Sequence, residues 1–173
     1  MSTTGKKDRF DCMQGSVILG LGSNLGVREE NIRQAILLIQ NYGEVTHQSN
    51  LYETSSWGYE SENKYINSCI ELNTKMEAKE LLGAMLKIEL EMGRTRNPGG
   101  YSDRVIDIDV LLFGDQIENK ATIQIPHPEM HNRLFVLAPM NELVPNRIHP
   151  IFKKSINELY NLCLDSTQIQ KVG

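Results

Sequence analysis

Between Ser16 and Leu21 the chain is almost continuously apolar (SVILGL), a short run that suits a buried first strand. It passes into Gly22-Ser23-Asn24, a turn signal that also offers a helix cap. Ile32, Ala35, Ile36 and Ile39 then recur at helical spacing, with Arg28, Glu29, Glu30 and Arg33 on the opposite side, and Asn41-Tyr42-Gly43 ends that helix. Glu44 to Thr54 is β-like but weakly patterned. Tyr65 to Lys75 places Ile66, Ile70 and Leu72 on one face and Tyr65, Asn67, Glu71 and Asn73 on the other, a strand with a polar working face. Glu77 to Met92 carries an apolar stripe of Leu81, Met85, Ile88 and Met92, a long helix closed by Gly93. A polar loop, Arg94 to Asp103, leads to a strand over Val105 to Phe113. Gly114-Asp115 then signals a hairpin, with Ala121 to Ile125 as the return strand. Pro126 and Pro128 bracket His127 and start a short helix. Further short helices are expected around Leu134 to Leu143 and Ser155 to Leu164.

Strands and helices alternate, yet the hairpins demand antiparallel pairing. The expected class is therefore α+β, a ferredoxin-like antiparallel sheet with helices packed on it. The length of 173 residues suits about one domain. No repeat or long linker divides the chain. Residues 1–15 mix Lys6, Lys7, Asp8, Arg9 and Asp11 without an apolar centre, so they read as a disordered extension rather than a secretory signal. The expected domain is 16–164, followed by a C-terminal tail at 165–173.

Composition removes several function classes. No apolar run approaches the roughly 20 residues that span a bilayer, so no membrane role is expected. The net charge of −4 and the low aromatic share of 6% argue against a nucleic-acid platform, which needs a basic face and stacking rings. Cys12, Cys69 and Cys163 form no C-x-x-C pair and are odd in number, which fits reduced thiols in a cytoplasmic protein. A monomer is expected.

The glycine segment Gly20-Leu21-Gly22-Ser23-Asn24-Leu25-Gly26 is neither nucleotide fingerprint. A dinucleotide site needs glycine where Leu25 stands, and a P-loop needs lysine after Gly26. A tight strand-to-helix turn accounts for it, with small residues that also let a ligand approach the backbone.

Asp107-Ile108-Asp109 is the sharpest local feature. Residues two apart on a strand share a face, so these carboxylates sit about 6.6 Å apart at their backbones and can converge on a cation. Two acids on an apolar strand repel each other and need a compensating charge, for which Mg²⁺ with open positions for phosphates is suited. Arg94, Arg96 and Arg104 flank Asn97-Pro98-Gly99-Gly100, a basic loop whose guanidinium forks match phosphate oxygens. Anion grips beside a divalent-metal site are what phosphoryl transfer requires. His127 and His131 lie four apart, a spacing that admits zinc. However, Glu129 is misplaced for H-E-x-x-H and no cysteine assists, so with Arg133 nearby a second phosphate patch is favoured. A non-catalytic ligand-binding module on the same scaffold is the competing class.

Six segments in order resemble the 6-hydroxymethyl-7,8-dihydropterin pyrophosphokinase family: GLGSNLG at 20–26, YETSSWG at 52–58, YIN at 65–67, GRTR at 93–96, RVIDIDVLLFG at 104–114 and IPHPEMHNRLFVLAP at 125–139. The resemblance implies a ferredoxin-like core and transfer of the β,γ-pyrophosphoryl group of ATP to the hydroxymethyl oxygen of the pterin, releasing AMP, in folate biosynthesis. It implies two Mg²⁺ ions held by Asp107 and Asp109. Tyr65 and Phe135 would sandwich the pterin, Asn67 would read its polar edge, and Thr54, Ser55 and Trp57 would supply further hydrogen bonds. Arg94 and Arg104 match mobile-loop arginines that assist chemistry and product release. Arg96, His127 and Arg133 match ATP contacts, and Glu89 a residue near the nucleotide. The chain departs from patterns of some members at Ser55-Ser56, Tyr101, Ser102-Asp103 and Pro128.

Overall fold

A computed structural model describes residues 16–95 and 97–173. Residues 1–15, expected to be disordered, and Arg96, expected to contact ATP, lie outside the described residues. Strand β1 (Val17–Ser23) leads into helix α1 (Arg28–Ile39), whose buried face is Ile32, Ala35, Ile36 and Ile39 as the spacing requires. The weak β-pattern that follows resolves into two strands, β2 (Glu44–Gln48) and β3 (Leu51–Thr54). Both lie antiparallel on β4 (Tyr65–Asn73), at opposite ends of it. They behave as one strand broken at Ser49. There the backbone N–H of Ser49 donates to the Cys69 carbonyl at 2.9 Å, while its hydroxyl accepts from the Cys69 N–H at 2.9 Å. That interruption explains the weak alternation in sequence.

Helix α2 (Ala78–Glu91) opens with a capping box between Glu77 and Glu80. Strand β5 (Asp107–Phe113) follows and closes a sheet ordered β5-β1-β4-β3. With β2 and β3 counted as one strand, this is the β-α-β-β-α-β ferredoxin-like arrangement.

The expected β5 hairpin does not form. Gly114 turns the chain at a positive φ of 54°, but the return strand β7 (Ile123–Ile125) pairs with β6 (Glu118–Lys120) in a separate two-stranded sheet. Ala121 and Thr122, expected inside the return strand, make the turn of that hairpin. Glu118-Asn119-Lys120 is wholly polar and carries no alternation, so its pairing leaves no mark in the sequence. Ile123 and Ile125 still bury their side chains in the main core. The expected helix after Pro126 is a 3-10 turn, Met130–Asn132.

Helices α3 (Leu134–Leu143) and α4 (Ile156–Leu162) fall where expected. The residues set apart as a C-terminal tail instead add strand β8 (Ile169–Val172) to β3, with Thr54 opposite Ile169.

Two cores result. Val17, Leu19, Leu21, Ile66, Ile70, Ile108 and Val110 pack one sheet face onto α1 and α2. On the other face, Ile18, Cys69 and Leu111 pack against Val136, Leu137 and Met140 of α3 and Ile156 and Leu159 of α4. Full burial of each such aliphatic side chain contributes roughly 1.5–3 kcal/mol. Cys69 is thus core filler, and burial pushes its thiol pKa well up. Among the described residues, no helix is long and apolar enough to cross a membrane.

Candidate active site

The second sheet face is covered only in part. Beyond Leu111 and Cys69, it presents Gly20 and Gly22 at its centre. Gly20 lies in register between Asp109 and Cys69, and Gly22 between Asp107 and Asn67. A Cβ on Gly20 would come within 3.2 Å of Leu111 Cδ1, and one on Gly22 within 3.1 Å of Asn67 Oδ1. These glycines are therefore the floor of a site and not a turn. The turn falls at Gly26, which has a positive φ of 69°.

Above that floor lies a cavity walled by Thr54, Ser55, Trp57, Tyr65, Asn67 and Phe135. All six residues expected to bind the pterin are thus brought together. Strand alternation carries Tyr65 and Asn67 to this face. Buried Asn67 donates through Nδ2 to Thr54 Oγ1 at 2.8 Å. Trp57 meets Phe135 edge-on, with centroids 6.4 Å apart. The Arg133 guanidinium sits 4.5 Å above the Trp57 ring, a cation–π contact, and its buried Nε has no hydrogen-bond partner among the described residues. Arg133, matched to an ATP contact, therefore lies in the aromatic cavity.

A larger, more open cleft adjoins it, bordered by Glu89, Arg94 and His127. Arg94 Nη1 bridges Glu89 Oε2 at 2.5 Å and Asp107 Oδ1 at 2.7 Å. Arg104 Nη1 stands 3.3 Å from Asp107 Oδ2. Glu89 is only 2% exposed, and its second oxygen accepts the Ile108 N–H at 2.7 Å. Both its oxygens are thus engaged inside the protein, where they fix Arg94 and β5. Burial pushes the Glu89 carboxyl pKa up, against the pull of the Ile108 N–H and Arg94. Burial, with Arg133 adding repulsion, lowers His127 to about 4, so its imidazole is neutral at physiological pH. His127 Nδ1 accepts the Glu129 N–H at 3.1 Å, and the His131 ring packs against Phe152 with centroids 4.6 Å apart. The two histidines face different surroundings.

The cavities share Tyr101, Arg104, Asp107 and Asp109 as a common wall. The Asp109 carboxylate has no hydrogen-bond or ion-pair partner among the described residues. Burial, and then the nearby Asp107 charge, push its carboxyl up to about 8. Asp107 is held by two arginines while Asp109 beside it is left without a paired cation, an imbalance that a divalent ion would relieve. Among the described residues, no cluster of three His, Cys, Asp or Glu side chains that could hold a metal ion exists.

Residues to which the sequence reading gave no site role complete the site. Asn24, 2% exposed, donates through Nδ2 to Asp103 Oδ1 at 2.8 Å and accepts the Arg104 N–H at 2.7 Å. Asp103 also accepts from Ser61 Oγ at 2.7 Å, Asn63 Nδ2 at 2.6 Å and Tyr59 OH at 3.1 Å. Tyr59 OH and Tyr65 OH lie 2.6 Å apart. The one available signal was Asn24 itself, an amide directly after an apolar strand.

An aromatic slot and a basic, carboxylate-bearing cleft that meet at one wall define a two-substrate phosphoryl-transfer enzyme on a ferredoxin-like sheet. The profile of the 7,8-dihydro-6-hydroxymethylpterin-pyrophosphokinase family matches residues 18–145, and the chain belongs to that family. It is 36% identical over 143 residues to the 2-amino-4-hydroxy-6-hydroxymethyldihydropteridine pyrophosphokinase of Aquifex aeolicus, covering 83% of this chain and 89% of the relative. The Bacillus subtilis protein of the same name is 41% identical over 134 residues, covering 76% and 79%. An HPPK-DHPS protein solved in complex with substrates shares the fold at a TM-score of 0.69 and 15% identity. That match covers 86% of this chain and 43% of the other, so this chain spans less than half of that protein's length. The chain is a pyrophosphokinase of folate synthesis, with ATP and hydroxymethyldihydropterin as substrates.

Proposed function

We propose that the aromatic cavity takes the dihydropterin ring, the larger cleft takes ATP, and the hydroxymethyl oxygen meets the β-phosphorus at the wall of Asp107 and Asp109. The observation that carries this reading is the sharing of that wall by the two cavities. A new bond forms between the hydroxymethyl oxygen and Pβ as the bond from Pβ to the α,β-bridging oxygen breaks; that oxygen leaves with Pα as AMP, and the hydroxyl proton passes to solvent. Tyr65 and Phe135 stack on the flat ring, and Asn67, already held by Thr54, hydrogen-bonds its edge. Arg94, Arg104 and the neutral His127 grip phosphate oxygens, and Glu89 holds Arg94 in place; the family resemblance adds Arg96 as an ATP contact. Arg133 extends from the pterin side toward the transferred group.

Positioning two reactants in line supplies much of the rate, with little covalent work for the protein. Two Mg²⁺ ions, held by Asp107 and Asp109, would supply charge neutralisation on the triphosphate when bound. The enzyme acts as a cytoplasmic monomer.

The test is the nucleotide product. Purified protein with Mg-ATP and hydroxymethyldihydropterin should release AMP in step with pterin diphosphate. ADP as product, or no turnover, would overturn the reading.

A further inference from the structure

We propose that Asp165 is a positioning residue for the pterin cavity, acting through the first turn of α3. The inference rests on the assignment of that cavity to the pterin. The family match ends at residue 145, so nothing in it speaks to residues 165–172.

Helix α3 begins at Leu134 without a cap from its own neighbours: its N-cap, Arg133, makes no side-chain capping hydrogen bond. The first N–H groups of a helix have no intrahelical partner and must be satisfied from outside. Asp165 Oδ2 accepts the Leu134 N–H at 2.8 Å from 31 residues further along the chain. Its other oxygen accepts the Thr167 N–H at 2.9 Å and the Thr167 hydroxyl at 2.5 Å, so the carboxylate is oriented from both sides. Partial burial opposes its ionisation, but these bonds hold its pKa below the ordinary carboxylate value. An anion at a helix N-terminus is also favoured by the macrodipole.

The capped residue stands between two residues of the aromatic cavity. Arg133 and Phe135 flank Leu134, and both rest against Trp57. The segment that follows Asp165 then pairs with the opposite wall. Ile169 lies in register with Thr54, and Lys171 with Tyr52. One short stretch of chain thus holds the α3 side of the cavity by a carboxylate and the Thr54 side by a strand. The distance between those walls decides how tightly a flat ring stacks.

The test compares Asp165→Ala with Asp165→Asn in the full chain. The Asn side chain keeps an acceptor oxygen for the Leu134 N–H, whereas Ala does not. Asp165→Ala should raise KM for the pterin about fivefold, in line with the loss of one helix cap, with KM for ATP unchanged. Asp165→Asn should restore most of the pterin KM. Without substrate, the emission of Trp57, the one tryptophan in the chain, should shift in the Ala variant and return in the Asn variant. A wild-type pterin KM in Asp165→Ala, or equal rises in both KM values with a lowered Tm, would overturn the inference. If the wild-type enzyme itself lacks turnover, the functional reading fails. The Trp57 emission then decides the positioning claim alone, and an unchanged spectrum overturns it.

Discussion

The ring of Tyr59 lies parallel to that of Tyr101, with centroids 6.1 Å apart and 4° between the planes. The pair joins the loop after β3, which lines the aromatic cavity, to the basic loop that borders the larger cleft. Two residues on, Asp103 reinforces the same junction by accepting hydrogen bonds from Asn24, Tyr59, Ser61 and Asn63. Tyr101 and Asp103 stand where the chain departs from the pattern of some relatives, and both departures serve this junction.

Hydrogen bonds to Asp103, led by Ser61 and Asn63, lower its carboxyl to about 2, against an ordinary value of 3.8. A depressed folded-state pKa means that the ionised group favours the fold, fully so above the unfolded value. That contribution is lost as pH falls from about 4 towards 2. Wild type should exceed Asp103→Asn in chemical-denaturation stability at pH 6, and the gap should close by pH 2. A gap independent of pH would contradict the linkage.

Gly22 carries no side chain where Asn67 Oδ1 and Tyr65 come closest to the floor. Gly22→Ala should raise KM for the pterin about tenfold through displacement of Asn67, with KM for ATP changed less than twofold. Steady-state kinetics with each substrate varied in turn separates the two effects.

Asp107 and Asp109 form the wall that both cavities share. Asp107→Ala and Asp109→Ala should each lower kcat about a thousandfold or more while circular dichroism retains the folded spectrum. The two variants should differ in stability. Asp107 engages Arg94 and Arg104, so its loss leaves two cations short of a partner, whereas removal of Asp109 relieves carboxylate repulsion. A lower Tm for Asp107→Ala than for Asp109→Ala is expected.

The cation–π contact of Arg133 with Trp57 supplies an optical probe. Titration with a non-reactive pterin should quench Trp57 emission to saturation without nucleotide. Arg133→Met should alter the starting emission. No response to pterin would place the ring elsewhere.

Much of the site was legible in one dimension because strand geometry is simple. Alternation alone put Asp107 with Asp109 and Tyr65 with Asn67 on shared faces, and the fold keeps both pairings. Helices α1 and α2 followed from apolar spacing for the same reason. What escaped was set by distance along the chain. Asn24, Tyr59 and Asp103 come from three loops and have no common spacing to read. The role of Gly20 and Gly22 as a floor depends on register with β4 and β5, which no local pattern encodes. The supposed return strand to β5 failed because a turn signal marks a reversal without naming the partner. The pairing of 169–172 with β3 joins residues more than a hundred apart and shows no strong alternation.

The most direct test of the central claim is a crystal structure of the enzyme with Mg²⁺, a non-hydrolysable ATP analogue and hydroxymethyldihydropterin. The account predicts the bicyclic ring between Tyr65 and Phe135, the triphosphate along Arg94 and Arg104, and metal density at Asp107 and Asp109 between the two ligands. A pterin bound away from the Gly20–Gly22 floor, or metals seated without either aspartate, would contradict it.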